Sequence, residues 1–173
     1  MSRSLDSIAA GQPVPTVELT PDEVTLLRFG AVTRNTHRIH YDTAFARSEG
    51  LAGPVVMAQL HGCLFHRAAT GFAGEGGRVR EVAWQNRAPA HPGDRLVVTG
   101  TVRDVDLAAR EVTLDLVEHR LSAAAVEWTD DRGTLVADRA RAAEPHDVTP
   151  RAPDEADGPG AVCCRGHAVV VLD

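Results

Sequence analysis

Leu60, Cys63, Leu64 and Ala68 recur at i, i+3, i+4 and i+8, which predicts a helix from about Ala58 to Thr70 with one apolar face. Beyond the glycine-rich stretch Gly71 to Gly77 the period changes to two. The segments RVREVAWQNRAPA, DRLVVTGTVRDVD, REVTLDLVEHR, AAAVEWTD and TLVADRARA read as antiparallel strands, joined by turns such as HPGD and TDDRG. Upstream, VPTVEL has the alternation of a short strand. TPDEV then opens a helix of about Pro21 to Val32, with Thr20 as N-cap, Pro21 in the first helical position and Glu23 completing a capping box. A long amphipathic helix followed by a strand meander predicts an α+β fold, in which a curled antiparallel sheet wraps the central helix.

Size and charge limit what such a fold does. The 173 residues, 43% of them hydrophobic, suffice for one domain with a real core. A net charge of -6 argues against a nucleic-acid surface, which needs a clustered positive field. The opening MSRSLDSIAAGQPVP lacks the apolar core of a signal peptide, and no run approaches the roughly 18 apolar residues of a membrane span, so a cytoplasmic protein is expected. Cys63, Cys163 and Cys164 cannot form an even disulfide framework and read as free thiols. Pro, Gly and acidic residues concentrate after the last strand segment. The expected domain is therefore residues 12–142, with 143–173 as a flexible tail whose terminal AVVVL either pairs as a strand or packs intermolecularly.

The chemically richest stretch is RNTHRIHYDTAFARSEG, residues 34–50, which reads as a catalytic site, a metal site or a solvated loop. The spacing of His37 and His40 invites a metal, but structural zinc needs four closed ligands and the paired cysteines stand in the tail beside His167, so no metal is expected. His61 and His66 fall in the central helix and read as packing or surface residues. GFAGEGG lacks the Lys and Ser/Thr of a phosphate-binding loop and reads as the end of a helix. Arg78, Arg80 and Arg87 are either phosphate contacts or an ordinary strand surface.

The string NTHRIHYDTAFARSEGLAGPVV resembles the hydratase motif of the MaoC-like dehydratases, the (R)-specific enoyl-thioester hydratase family. Within it, Asn35 to Asp42 is similar to the Asn-x-His-Arg-Ile-His-Tyr-Asp string of type 2 hydroxyacyl-thioester dehydratases and mesaconyl-CoA hydratase. The resemblance spans roughly residues 12–142 and implies a hot-dog fold, a homodimer with a continuous sheet, and a substrate carried on CoA or acyl carrier protein, with no cofactor. It places His40 on the family's catalytic histidine and Asn35 where most members carry the catalytic aspartate. An amide cannot accept the proton, so the acid/base work falls to His40 while Asn35 orients water or the thioester. Met57 and Ala58 stand where the family has His-Gly. Ala58 keeps the N–H that holds the thioester oxygen, Met57 makes the wall apolar, and Gln59 replaces a residue that is often proline. His37, Arg38 and Tyr41 complete the expected substrate-binding set.

Two functions follow from this resemblance. One is a hydro-lyase, hydrating an enoyl thioester or dehydrating a 3-hydroxyacyl thioester. The other is a hot-dog protein without hydratase activity that binds, isomerises or cyclises an acyl thioester or natural-product intermediate. A thioesterase of the same fold is the weaker option, because its carboxylate sits on the central helix and Ala58 to Thr70 offers none.

Overall fold

The computed structural model describes residues 5–121 and 161–172. Three helices, α1 (Glu23–Thr33), α2 (Thr43–Ser48) and α3 (Ala58–Ala73), accompany five strands, β1 (Val17–Leu19), β2 (Gly77–Asn86), β3 (Arg95–Asp106), β4 (Glu111–Leu121) and β5 (Ala161–Leu172). All the strand pairs are antiparallel, in the order β1-β3-β4-β5-β2. The curled sheet wraps the central helix α3 in the manner of a hot-dog fold. No helix among the described residues is long and apolar enough to cross a membrane.

Capping residues set where the first helix starts. Asp22, rather than Thr20, is the N-cap of α1, because its carboxylate reaches both the backbone N–H (2.7 Å) and the hydroxyl (2.5 Å) of Thr25. Helix α3 runs one turn further than its sequence suggests and buries Leu60, Leu64, Ala68 and Phe72 together with Phe65 and Ala69. Cys63 lies outside that face and is exposed. Phe65 and Phe72 are wholly buried, each contributing about 1.5–3 kcal/mol of transfer free energy. Gly62 is required by contact: a Cβ there would stand 2.6 Å from the Trp84 ring of β2, whose indole N–H donates to Ala58 O at 3.0 Å.

The sheet is not a simple meander. β2 and β3 do not pair, since the connection between them contains Pro89 and Pro92 and is no tight hairpin turn, and two strands separate them. One of those strands comes from the segment expected to be tail. Ala161–Leu172 pairs with β4 on one side and β2 on the other, burying Cys163, Cys164, Ala168, Val170 and Leu172. The expected boundary at residue 142 is thus wrong for this stretch, because its apolar run is long enough to fill a central strand buried on both edges. The anticipated strands AAAVEWTD and TLVADRARA, and the rest of the anticipated tail up to residue 160, lie outside the described residues.

Register matters most at one point. β4 alternates strictly, sending Val112, Leu114, Leu116, Glu118 and Arg120 inward. Opposite Glu118 the ladder slips: Glu118 pairs with Cys164 and His119 with Val162, so Cys163 is an extra residue in β5.

Candidate functional site

The motif is built by a sequence of tight turns. α1 ends at Arg34, which adopts the left-handed conformation (φ 55°), at a cost of about 1 kcal/mol or more for a side chain with a Cβ. That turn aims Asn35 inward, its N–H bonded to Gly30 O at 3.0 Å. His37 then caps a single 3-10 turn, Arg38–His40, by accepting the Ile39 N–H at 3.3 Å. The turn carries His40 into the interior, where it is 8% exposed.

Two hydrogen bonds fix the ring. His40 Nδ1 lies 2.8 Å from Val55 O, a group that only accepts, so Nδ1 carries the proton and Nε2 presents its lone pair. Asn35 Nδ2 stands 3.3 Å from that Nε2, while Asn35 Oδ1 accepts the His37 N–H at 3.2 Å. The amide is therefore held by both ends in the orientation that matches the tautomer of His40.

The other conspicuous residues of the motif brace it. Arg38 donates to Asp42 through Nε (3.1 Å) and Nη2 (2.7 Å) and lies over the Phe45 ring, 4.5 Å from its centroid. Asp42 caps α2 by accepting the Phe45 N–H at 2.9 Å. That bond, and then the Arg38 guanidinium, hold the Asp42 carboxyl below its ordinary value. Tyr41 donates to Thr36 O at 3.1 Å and is largely exposed.

Asn35, His37 and His40 line an open cleft of about 570 Å³ together with Ala58, Gln59 and Arg87. Its lining includes the N-terminus of α3, where Met57 is the N-cap without a side-chain hydrogen bond, leaving first-turn N–H groups with no side-chain cap. Of the expected substrate-binding residues, Ala58, Gln59 and His37 line this cleft. Met57, Arg38 and Tyr41 are not among its lining residues; Met57 is 2% exposed and its side chain packs against Gly30. Among the three arginines considered for phosphate, Arg87 lies at the cleft and Arg80 is ion-paired with Glu111. A second groove, on the other face of the sheet between Thr101 and Arg165, holds the ion pair Arg103–Asp115 and none of the motif.

The profile of the hydroxyacyl-thioester dehydratase type 2 family matches residues 3–92. The chain belongs to this family. As a member of the type 2 dehydratases it is a hydratase/dehydratase enzyme of acyl thioesters. No curated protein matches its sequence. Solved structures that share its fold include the (R)-hydratase from A. caviae involved in PHA biosynthesis, 18% identical, covering 96% of this chain and 98% of that chain with a TM-score of 0.67. The MaoC-like dehydratase from Rhodospirillum rubrum is 15% identical, with 97% and 95% covered and a TM-score of 0.60. The C-terminally truncated HadBC (3R-hydroxyacyl-ACP dehydratase) complex from Mycobacterium tuberculosis is 11% identical, with 95% and 98% covered and a TM-score of 0.59.

His61 also lines the cleft of this dehydratase, although its spacing alone marks it only as a helix residue. It is 2% exposed, and its Nδ1 lies 2.5 Å from the wholly buried Glu118 carboxylate. Burial opposes charge on His61, but hydrogen bonds with Cys164 and Glu118 outweigh it and raise its pKa to about 9. Cys163 and Cys164 complete the buried group. The hydrogen bond between them raises the first and lowers the second, to about 6, with His61 adding to the lowering.

Proposed function

We propose that this enzyme adds water to an enoyl thioester, or removes it from a 3-hydroxyacyl thioester, with His40 as acid/base and Asn35 as its hydrogen-bonding partner. The observation that supports this most is the pairing of His40 with Val55 O and Asn35, which fixes the tautomer of a ring that lines the same cleft as the first residues of α3. In hydration the attacking water replaces the Asn35 amide at Nε2 of His40, which takes the water's proton as oxygen bonds to the β-carbon. The electron pair moves through the α-carbon onto the thioester oxygen, which Ala58 N–H holds as the enolate forms. The His40 imidazolium then gives its proton to the α-carbon, which completes the addition, and dehydration is the reverse. Asn35 supplies direction rather than a proton, since its second N–H points a water or the thioester at His40. Gln59 and His37 flank the acyl chain, and Arg87 meets the phosphate of a CoA or carrier-protein pantetheine arm.

The test is turnover of enoyl and 3-hydroxyacyl thioesters. His40→Ala is expected to lower kcat on the order of a hundredfold or more, and His37→Ala far less. Equal small losses would reject the assignment. The amide at position 35 favours a second reading, in which the cleft binds or rearranges a thioester without hydrating it. Asn35→Asp, measured with the wild type and His40→Ala, separates the two: a large gain in hydration marks a hydratase lacking its carboxylate, no gain with wild-type hydration lost in His40→Ala marks a histidine-led hydratase, and no hydration by any of the three marks the second reading.

The same reading includes a homodimer. β2 pairs only with β5 among the described residues, so its outer edge is free to continue the sheet into a second copy.

A further inference from the structure

We propose that His61, Glu118, Cys163 and Cys164 form a structural site for a divalent transition metal, zinc by its donor chemistry, that pins β4 and β5 to α3 beneath the cleft. One donor atom from each of the four lies within 4.8 Å of every other, and all four residues are buried. In a tetrahedral zinc site with bonds of about 2.0–2.3 Å, the ligand atoms stand about 3.3–3.8 Å apart. The donors found here, from 2.5 Å apart at His61 and Glu118 to within 4.8 Å overall, bracket that spacing. The shortest contact, between His61 and Glu118, has to open and the longest to close.

The backbone accounts for the grouping. Consecutive residues of a regular strand face opposite sides of the sheet, so an adjacent Cys-Cys pair ordinarily cannot share a site. Cys163 is the extra residue at the bulge opposite Glu118, and the bulge brings both thiols to the face that carries Glu118. Glu118 occupies the inward row of β4 in line with Val112, Leu114 and Leu116, where an apolar residue would otherwise stand.

A second, independent observation points to a missing ligand. Glu118 is 0% exposed, and its Oε2 has no hydrogen-bond partner among the described residues. Its other oxygen is shared by His61 at 2.5 Å and by the Cys163 thiol, which donates at 2.9 Å. A buried carboxylate oxygen left without a donor is costly, and coordination removes that cost. Two sulfurs, an imidazole and one carboxylate suit zinc rather than calcium or magnesium, which take oxygen ligands. On binding, both thiols and His61 Nδ1 release any protons they carry to solvent, and the metal takes their place. Cys164 donates to Asn86 Oδ1 at 3.1 Å; once it is a thiolate, a turn of that amide presents Nδ2 to the sulfur instead. Four protein ligands leave no open position, so the metal holds structure and does not activate water.

The experiment measures metal in the intact, reduced chain and does not depend on turnover, so its failure is distinct from failure of the proposed reaction. Purified protein is analysed for zinc by mass spectrometry, stripped with chelator, and titrated with Zn²⁺ and separately with Co²⁺. One equivalent of zinc per chain, a thiolate-to-cobalt charge-transfer band and a higher Tm with metal are expected. Cys63→Ser should keep all three. Cys163→Ser combined with Cys164→Ser should lose the cobalt band, with circular dichroism checking that the variant is folded. Should that variant not fold, the wild-type cobalt spectrum decides alone. A reduced wild-type chain that binds neither ion, or equal binding by the folded double variant as an adventitious ion only, would overturn the proposal.

Discussion

At the scale of single residues, the quoted motif divides its labour in a way its composition conceals. His40 and Asn35 face the cleft, whereas Arg38, Tyr41 and Asp42 hold the loop that delivers them. The deprotonated Asp42 is favoured by the fold, because the Phe45 N–H and Arg38 lower its pKa from 3.8. Its stabilising effect is complete above the unfolded value and is lost as pH falls through the lower folded value. Urea unfolding from about pH 6 to about pH 3 should therefore show Asp42→Asn losing less stability on acidification than the wild type. That Asn35 and His40 meet at the cleft was legible in the sequence, because they stand five positions apart in one contiguous string. Arg38 and Tyr41, expected there on the same string, are not among the lining residues of the cleft, because a string records that residues travel together but not which way each side chain turns. His61, Glu118, Cys163 and Cys164 were not legible as a group, since the first two stand 57 positions apart and a bulge, which no spacing encodes, aligns the last two.

Among the elements, α3 is the one on which both sites converge. Its N-terminus closes the cleft, its first turn carries His61, and Gly62 admits the Trp84 ring from β2. Gly62→Ala should cost about 1–3 kcal/mol in chemical denaturation, because the ring is held from behind by its bond to Ala58 O and cannot retreat freely. A loss below about 0.5 kcal/mol would mean that the indole moves aside without penalty. Helical periodicity located α3, and alternation located β2, β3 and β4, because each pattern reports burial of one face. Alternation could not order the strands. β5 was read as tail because proline, glycine and acids precede it, and its own apolar run permits pairing without naming a partner.

For the whole molecule, the open edge of β2 is ten residues long and paired on one side only among the described residues. Light scattering at micromolar concentration should give the mass of two chains, and a monomer there would count against the continuous sheet. The position of β5 has a further consequence, for the order in which the protein is made. β1, α3, β2, β3 and β4 are all synthesised before β5, yet β2 reaches the rest of the sheet only through it. Before β5 is made, the strands available to pair are β1, β3 and β4, while β2 meets α3 but has no sheet partner among the described residues. Pairing of β2 with the rest of the described sheet therefore has to wait for β5 to emerge, and until then the face of α3 that β5 covers lacks that cover.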